Sequence, residues 1–162
     1  MGKKLGIHAY GNVGRNVARI AKGFGMDIYA FDAFCPKEVI EKDGVKAVSS
    51  AEELYAACNV VSLHIPATAE TKNSINYELV NKMPKGGVLV NTARKEVINE
   101  AELIKLMEER TDLKYVTDIM PVAHAELMEF LVSAVAGICR DTILQAAYSS
   151  SAEETAFTPR CV

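Results

Sequence analysis

The sequence predicts an α/β protein built on a doubly wound parallel sheet, and three observations predict it. Short apolar runs of strand length alternate with segments whose apolar residues recur at helical spacing from Leu5 to Thr117. One of those runs, residues 59–63 (NVVSL), is apolar on both faces, which suits a buried parallel strand and not an antiparallel strand with one wet face. The first run opens directly into two glycines and the second apolar strand ends on an acid, the arrangement of a nucleotide-binding βαβ unit.

That unit is residues 4–32, KLGIHAYGNVGRNVARIAKGFGMDIYAFD, and the rest of the chain is organised around it. Residues 5–9 are the first strand, 10–14 the glycine turn, 13–24 a helix and 28–31 the second strand, which ends on Asp32. Gly11 has no Cβ to keep the backbone from a pyrophosphate, and Gly14 lets the helix pack tightly on the strand. The amides of residues 12–15 point into the positive end of the helix, where a phosphate is favoured. Asp32 lies 18 residues after Gly14, close to the spacing at which an acid accepts from a ribose hydroxyl; its charge favours NAD and repels the extra phosphate of NADP. In the GxGxxG frame Ala9 stands where the first glycine would be. The alternative for this stretch alone is an ordinary strand-to-helix turn without a ligand.

The following elements are shorter. Residues 36–42 form a short helix, 45–48 a brief edge strand, and Ser49 or Ser50 caps a helix over 51–57, whose Glu52 and Glu53 suit its positive end. Residues 59–63 are the next strand, and 64–73 (HIPATAETKN) a polar loop at the carboxyl end of it, where doubly wound sheets place their ligands. A helix over 75–83 is stopped by Pro84; then come strand 87–91, an amphipathic helix over 99–109, and strand 114–117, ending on Asp118. Each strand delivers a polar residue to the same rim. After Pro121 the pattern changes: 126–147 has few breakers and carries Leu127, Phe130, Leu131, Ala134, Ile138 and Leu144 at helical intervals, and 148–155 is a polar linker or cap box. The expected division is a cofactor domain over 1–121 and a helical tail over 122–162 that packs on or extends the same domain.

Composition removes several classes of function. A net charge of −3 argues against a general nucleic-acid binder. Cys35, Cys58, Cys139 and Cys161 show no CxxC spacing, so neither a metal site nor a disulfide framework is indicated, and reduced thiols in a cytoplasmic protein are the simplest account. The start enters a strand directly, without the apolar stretch and cleavage site of a signal peptide, and the weakly charged run 130–138 is too short to span a bilayer, so no membrane partner is expected.

Four blocks carry a resemblance to a known family: HAYGNVG at 8–14 with Asp32, LHIPATAET at 63–71, VNTARKEVINEAEL at 90–103 and YVTDIMP at 115–121. In that order they resemble the D-isomer-specific 2-hydroxyacid dehydrogenases, and within them the phosphoglycerate dehydrogenase branch, which implies a single Rossmann-type cofactor domain with NAD. Position by position, the resemblance implies that Tyr10, Gly11, Asn12, Val13 and Gly14 form the turn on the pyrophosphate and that Asp32 takes the adenosine ribose. It implies that His64, Pro66 and Thr71 lie in the loop beside the cofactor, that Thr92 and Ala93 line the nicotinamide ribose, and that Asp118 accepts from the carboxamide. Arg94 matches the catalytic arginine that binds the carboxylate and carbonyl oxygen of a small-molecule 2-hydroxy acid. A planar guanidinium suits that task, because two parallel hydrogen bonds grip the carboxylate and polarise the neighbouring carbonyl. On the residues alone, Arg94 could also be a solvated arginine at a helix start and His64 a satisfied loop histidine.

Departures from the pattern fall late in the chain. Where the family has a glutamate after the Asp118 position, Ala123 stands here, with Glu126 the nearest acid; the one Thr-Pro pair, Thr158–Pro159, is followed by Arg160 and not by the family's histidine. An arginine does not give up its proton at working pH and cannot serve as the general acid-base. The family's substrate domain, built from segments on either side of the cofactor domain, is expected to be missing. The resemblance therefore implies hydride transfer between NAD and the C2 of a 2-hydroxy acid, with this chain alone expected to bind NAD(H) and turn over little. The alternative is a non-catalytic NAD-binding or regulatory module. The family resemblance also implies a homodimer; the apolar stretch 127–147 could form an oligomer contact or pack on its own sheet.

Overall fold

The structure is a computed structural model, and it describes residues 2–118. The expectations for the tail, including the helix over 126–147, Glu126, Arg160, Cys139 and Cys161, lie outside the described residues. Six parallel strands form one sheet: β1 (Lys4–His8), β2 (Asp27–Phe31), β3 (Lys46–Ala47), β4 (Val60–Leu63), β5 (Val88–Asn91) and β6 (Lys114–Thr117). Their spatial order is β3-β2-β1-β4-β5-β6, so the chain winds outward from β1 twice, once in each direction. In register, Leu5 pairs with both Ile28 and Val60, and His8 with both Phe31 and Leu63, which brings the carboxyl ends of β1, β2 and β4 level at one rim. The switch of direction beside β1 opens a crevice at that rim, where doubly wound folds take ligands.

Helices α1 (Asn12–Gly23) and α2 (Lys37–Lys42) share one core cluster with Leu5, Ile7, Ile28 and Ala30. Helices α3 (Ala51–Ala57), α4 (Tyr77–Asn81) and α5 (Glu100–Glu109) share the other, with Val61, Leu63 and Leu89. The split follows from the alternation of side chains along each strand. Three of these helices begin on a side-chain cap: Ser50 accepts from Glu53 N at 3.2 Å, Asn76 from Leu79 N at 3.0 Å and Asn99 from Glu102 N at 3.4 Å. Glu53 in turn accepts from Ser49 N at 2.7 Å, so both serines that could cap α3 take part.

One local expectation is corrected. The helix expected over 75–83 is α4, and it begins only at Tyr77, because Ile75 forms a parallel bridge with Ile98 and Asn76 is spent on the cap. The helix expected over 99–109 is α5, which starts at Glu100 under the Asn99 cap, and Arg94 stands at the start of a separate 3-10 turn, Lys95–Val97. In α1 the buried stripe consists of the small residues Gly14, Ala18 and Ala21, whereas Val13, Ile20 and Phe24 are 62%, 55% and 75% exposed. Among the described residues Cys35 and Cys58 are free thiols, and no helix is long and apolar enough to cross a membrane.

Candidate functional site

The turn between β1 and α1 is pinned on both sides. Ala9 N donates to Phe31 O at 2.8 Å and Tyr10 N to the Asp32 carboxylate at 2.6 Å, tying the turn to the end of β2. Ala9 itself has φ +78°, the left-handed region that costs an L-residue about 1–2 kcal/mol. This is the physical meaning of the first glycine in the frame, and here an alanine tolerates the strain. The two glycines that remain do different work. A Cβ on Gly14 would lie 2.4 Å from Ala9 O and 2.9 Å from Ile7 Cγ2, so Gly14 sets how closely α1 meets β1. A Cβ on Gly11 would meet nothing within 4 Å. Gly11 is the N-cap of α1 and offers no side-chain cap, and the first turn of α1 carries no acid. Asn12 and Val13 are exposed residues in the first turn of a helix, whose amides have no intrahelical acceptor, and this positive helix end fits an anionic diphosphate. The Tyr10 side chain takes no part in that rim: it is 2% exposed, donates to Asp43 at 3.2 Å and lies under the Arg15 guanidinium.

Asp32 accepts three backbone hydrogen bonds, from Tyr10 N at 2.6 Å and from Phe34 N and Cys35 N at 2.8 Å each. Burial pushes its carboxyl up, but the three amides outweigh burial and hold it below the usual carboxylate range. A carboxylate has about four acceptor positions, so one stays open for an outside hydroxyl. Beside it is a cavity of about 360 Å³ whose lining includes His8, Ala9, Asp32, Phe34, Ile65, Pro66 and Thr71. The loop after β4 forms its far wall. His64 N donates to His8 O at 2.9 Å and His64 Nε2 lies 3.0 Å from Ser62 Oγ, with burial lowering the pKa of the ring. Thr71 Oγ1 donates to Pro66 O at 2.6 Å and accepts from Thr68 N at 2.8 Å, so its hydroxyl braces the loop.

The third group of residues sits at the end of β5. Asn91, wholly buried, accepts from Ala93 N at 3.0 Å and donates to Arg94 O at 3.1 Å and Tyr115 Oη at 3.2 Å. It holds the backbone of Thr92, Ala93 and Arg94 in a fixed turn while the Thr92 and Arg94 side chains stay exposed. The Arg94 guanidinium donates to Ala93 O at 2.8 Å. Asp118, also exposed, follows β6 on the same rim. Sequence reasoning missed Asn91, although a lone polar residue ending the apolar run GVLV is the signal; it missed His8 for the same reason. No cluster of His, Cys, Asp and Glu among the described residues could hold a metal ion.

A parallel sheet with a glycine turn at its switch point, bare helix amides above that turn and an acid closing the second strand is a dinucleotide-binding domain of the Rossmann type. More particularly, the chain belongs to the D-isomer-specific 2-hydroxyacid dehydrogenases, whose NAD-binding domain model matches residues 1–133. D-3-phosphoglycerate dehydrogenase of Haemophilus influenzae is 35% identical over 132 residues, covering 82% of this chain and 32% of that protein. That of Methanocaldococcus jannaschii is 38% identical over 108 residues, covering 67% of this chain and 21% of that protein. The crystal structure of NAD+-bound 3-phosphoglycerate dehydrogenase in Entamoeba histolytica matches with a TM-score of 0.73 at 46% identity, covering 80% of this chain and 40% of that one. The chain therefore spans a third or less of the length of these curated relatives.

Proposed function

We propose that this chain is the cofactor half of an NAD-dependent D-2-hydroxyacid dehydrogenase of the phosphoglycerate dehydrogenase type, acting on a small 2-hydroxy acid. The observation that carries the proposal is the β1–α1 turn, with open amides above Gly11 and the Asp32 carboxylate tied to the same turn through Tyr10 N. In this reading the amides of Gly11, Asn12, Val13 and Gly14 hold the pyrophosphate, and Asp32 accepts from the adenosine ribose. The cavity between Phe34 and Ile65 takes the adenine, with His64, Pro66 and Thr71 shaping its loop wall. Thr92 and Ala93 flank the nicotinamide ribose and Asp118 accepts from the carboxamide. The bound cofactor exchanges a hydride with C2 of the substrate. Arg94 orients that substrate by its carboxylate and carbonyl oxygen, and Asn91 keeps the arginine's backbone in place.

A non-catalytic NAD-binding or regulatory module is the second reading. It is favoured by the engagement of both described histidines, His8 with Tyr55 and His64 with Ser62, which leaves neither assigned to proton transfer. Titration with NADH by fluorescence or calorimetry separates binding from its absence: no saturation at millimolar cofactor sinks both readings. The genomic sequence on either side then separates the two readings: segments of a substrate domain there support the first, and their absence the second. A homodimer in the cytoplasm accompanies the first reading, and light scattering across concentration tests the dimer.

A further inference from the structure

The cavity beside Asp32 contains a polar group that neither the glycine turn nor the acid explains. His8 closes β1 and is 8% exposed, with Nδ1 3.3 Å from Tyr55 Oη. Tyr55, on α3, is 0% exposed and stacks edge-on against the imidazole, while Phe31 tilts over its other side, both with ring centroids 5.8 Å away. A buried phenol must place its proton on an acceptor, since leaving it unmade costs more than the bond contributes. Nδ1 is the acceptor in place. With Tyr55 Oη–H donating to Nδ1, the proton of the neutral imidazole resides on Nε2. Nε2 has no hydrogen-bond partner among the described residues, where no buried side-chain nitrogen lacks one, so Nε2 is not fully buried, and His8 lines the cavity. The ring stays neutral near pH 7, because burial lowers its pKa to about 4 against the opposing charges of Asp32 and Glu52.

We infer that His8 is a specificity residue for the adenosine half of the dinucleotide, its Nε2–H donating to a ring nitrogen of the adenine. The inference rests on the proposed reading of this cavity as the adenosine site. The chemistry is complementary: Asp32 offers acceptors, which suit ribose hydroxyls, while His8 offers one donor to a base whose ring nitrogens are acceptors. An aliphatic side chain in its place would fill the cavity floor without that selection.

The test uses AMP, which carries only the adenosine half, and NADH, at pH 7.5 on the full chain. His8→Leu should weaken both by the same factor, about tenfold, and His8→Gln, which keeps an N–H donor, should recover most of the loss. Tyr55→Phe, which touches no ligand in this reading, should cost about two- to threefold through the freed tautomer. The imidazole ¹⁵N spectrum of the unsubstituted protein reads the tautomer directly and does not depend on any variant folding. A proton on Nδ1, or unchanged AMP affinity in folded His8→Leu, overturns the role of His8 while leaving NAD binding intact. Failure of the unsubstituted protein to bind NADH at all overturns the cofactor reading instead.

Discussion

Replacing each of the two turn glycines by alanine should separate packing from ligand binding. At Gly14 the added Cβ lies 2.4 Å from Ala9 O and 2.9 Å from Ile7 Cγ2, so a backbone carbonyl must retreat by most of an ångström. That carbonyl belongs to a turn held by Ala9 N on Phe31 O and Tyr10 N on Asp32, and retreat means stretching one of those bonds. Overpacking against a backbone atom that cannot rotate away falls in the upper part of the usual range, about 2–3 kcal/mol, against roughly 1 kcal/mol gained from alanine's better helix propensity. A net loss of about 1–2 kcal/mol lowers Tm by roughly 4–8 °C in a domain of this size. At Gly11 nothing lies within 4 Å of the new Cβ, and only a weak cap is altered, at about 0.5 kcal/mol, so Tm should move by about 2 °C. The open space, however, is where the pyrophosphate is proposed to lie, and NADH affinity should fall at least tenfold, about 1.4 kcal/mol. Thermal denaturation by circular dichroism and NADH fluorescence titration measure both quantities. A Gly14→Ala protein as stable as the parent, or a Gly11→Ala protein with unchanged NADH affinity, would refute the reasoning.

Further outcomes follow from the same geometry. Asp32→Ala should cost about 2 kcal/mol by stripping three amides of their acceptor, and should weaken NAD far more than NADP; equal loss for both cofactors would remove the ribose role. The Asp32 contribution, from a depressed carboxyl, is present above the unfolded pKa near 3.9 and is lost as pH falls through the lower folded value. For His8 the folded pKa of about 4 lies below the ordinary 6.5, so the unfolded chain binds the extra proton between those values. Stability should accordingly fall by up to about 1.4 kcal/mol per pH unit as pH drops from 6.5 toward 4. Urea titrations at pH 7 and pH 5 should show a smaller pH difference in His8→Leu than in the parent, with His64, whose pKa burial also lowers, contributing to what remains. Asn91→Ala should destabilise by about 1–2 kcal/mol, because Ala93 N loses its acceptor and Arg94 O its donor while the Tyr115 hydroxyl keeps Thr117 as a partner, and should slow any turnover that depends on Arg94; urea denaturation of the variant checks the first effect.

Much of the fold was legible because parallel strands and crossover helices leave separate periodic signatures. The run at residues 59–63 reads as a buried strand for the reason that Val61, Ser62 and Leu63 are buried in succession, on both faces, whereas in β5 only Leu89 and Asn91 are fully buried and Val88 and Val90 are half-buried. Less legible were the places where one residue serves a distant partner. Ile75 looks like the first apolar residue of a helix until its bridge to Ile98 takes it away. The 3-10 turn that follows Arg94 left no periodic signature of its own ahead of the helix that Asn99 caps. Of the candidate site, the glycines and Asp32 declared themselves by spacing; the Asn91–Tyr115 and His8–Tyr55 pairs did not, because the two members of each pair are distant in sequence.

By itself the sequence determined the alternation of elements, the glycine turn, the acid at the end of β2 and the family to which these motifs belong. Tertiary structure alone decided how they are used. Helix α1 presents two stripes at helical spacing, the large Val13, Ile20 and Phe24 and the small Gly14, Ala18 and Ala21. Hydrophobicity favours burying the first; close approach of α1 to β1, enforced by the pinned turn with Ala9 at φ +78°, leaves room only for the second. Periodicity reports that a helix has an apolar face, but the distance at which that face must dock is set by atoms elsewhere in the chain.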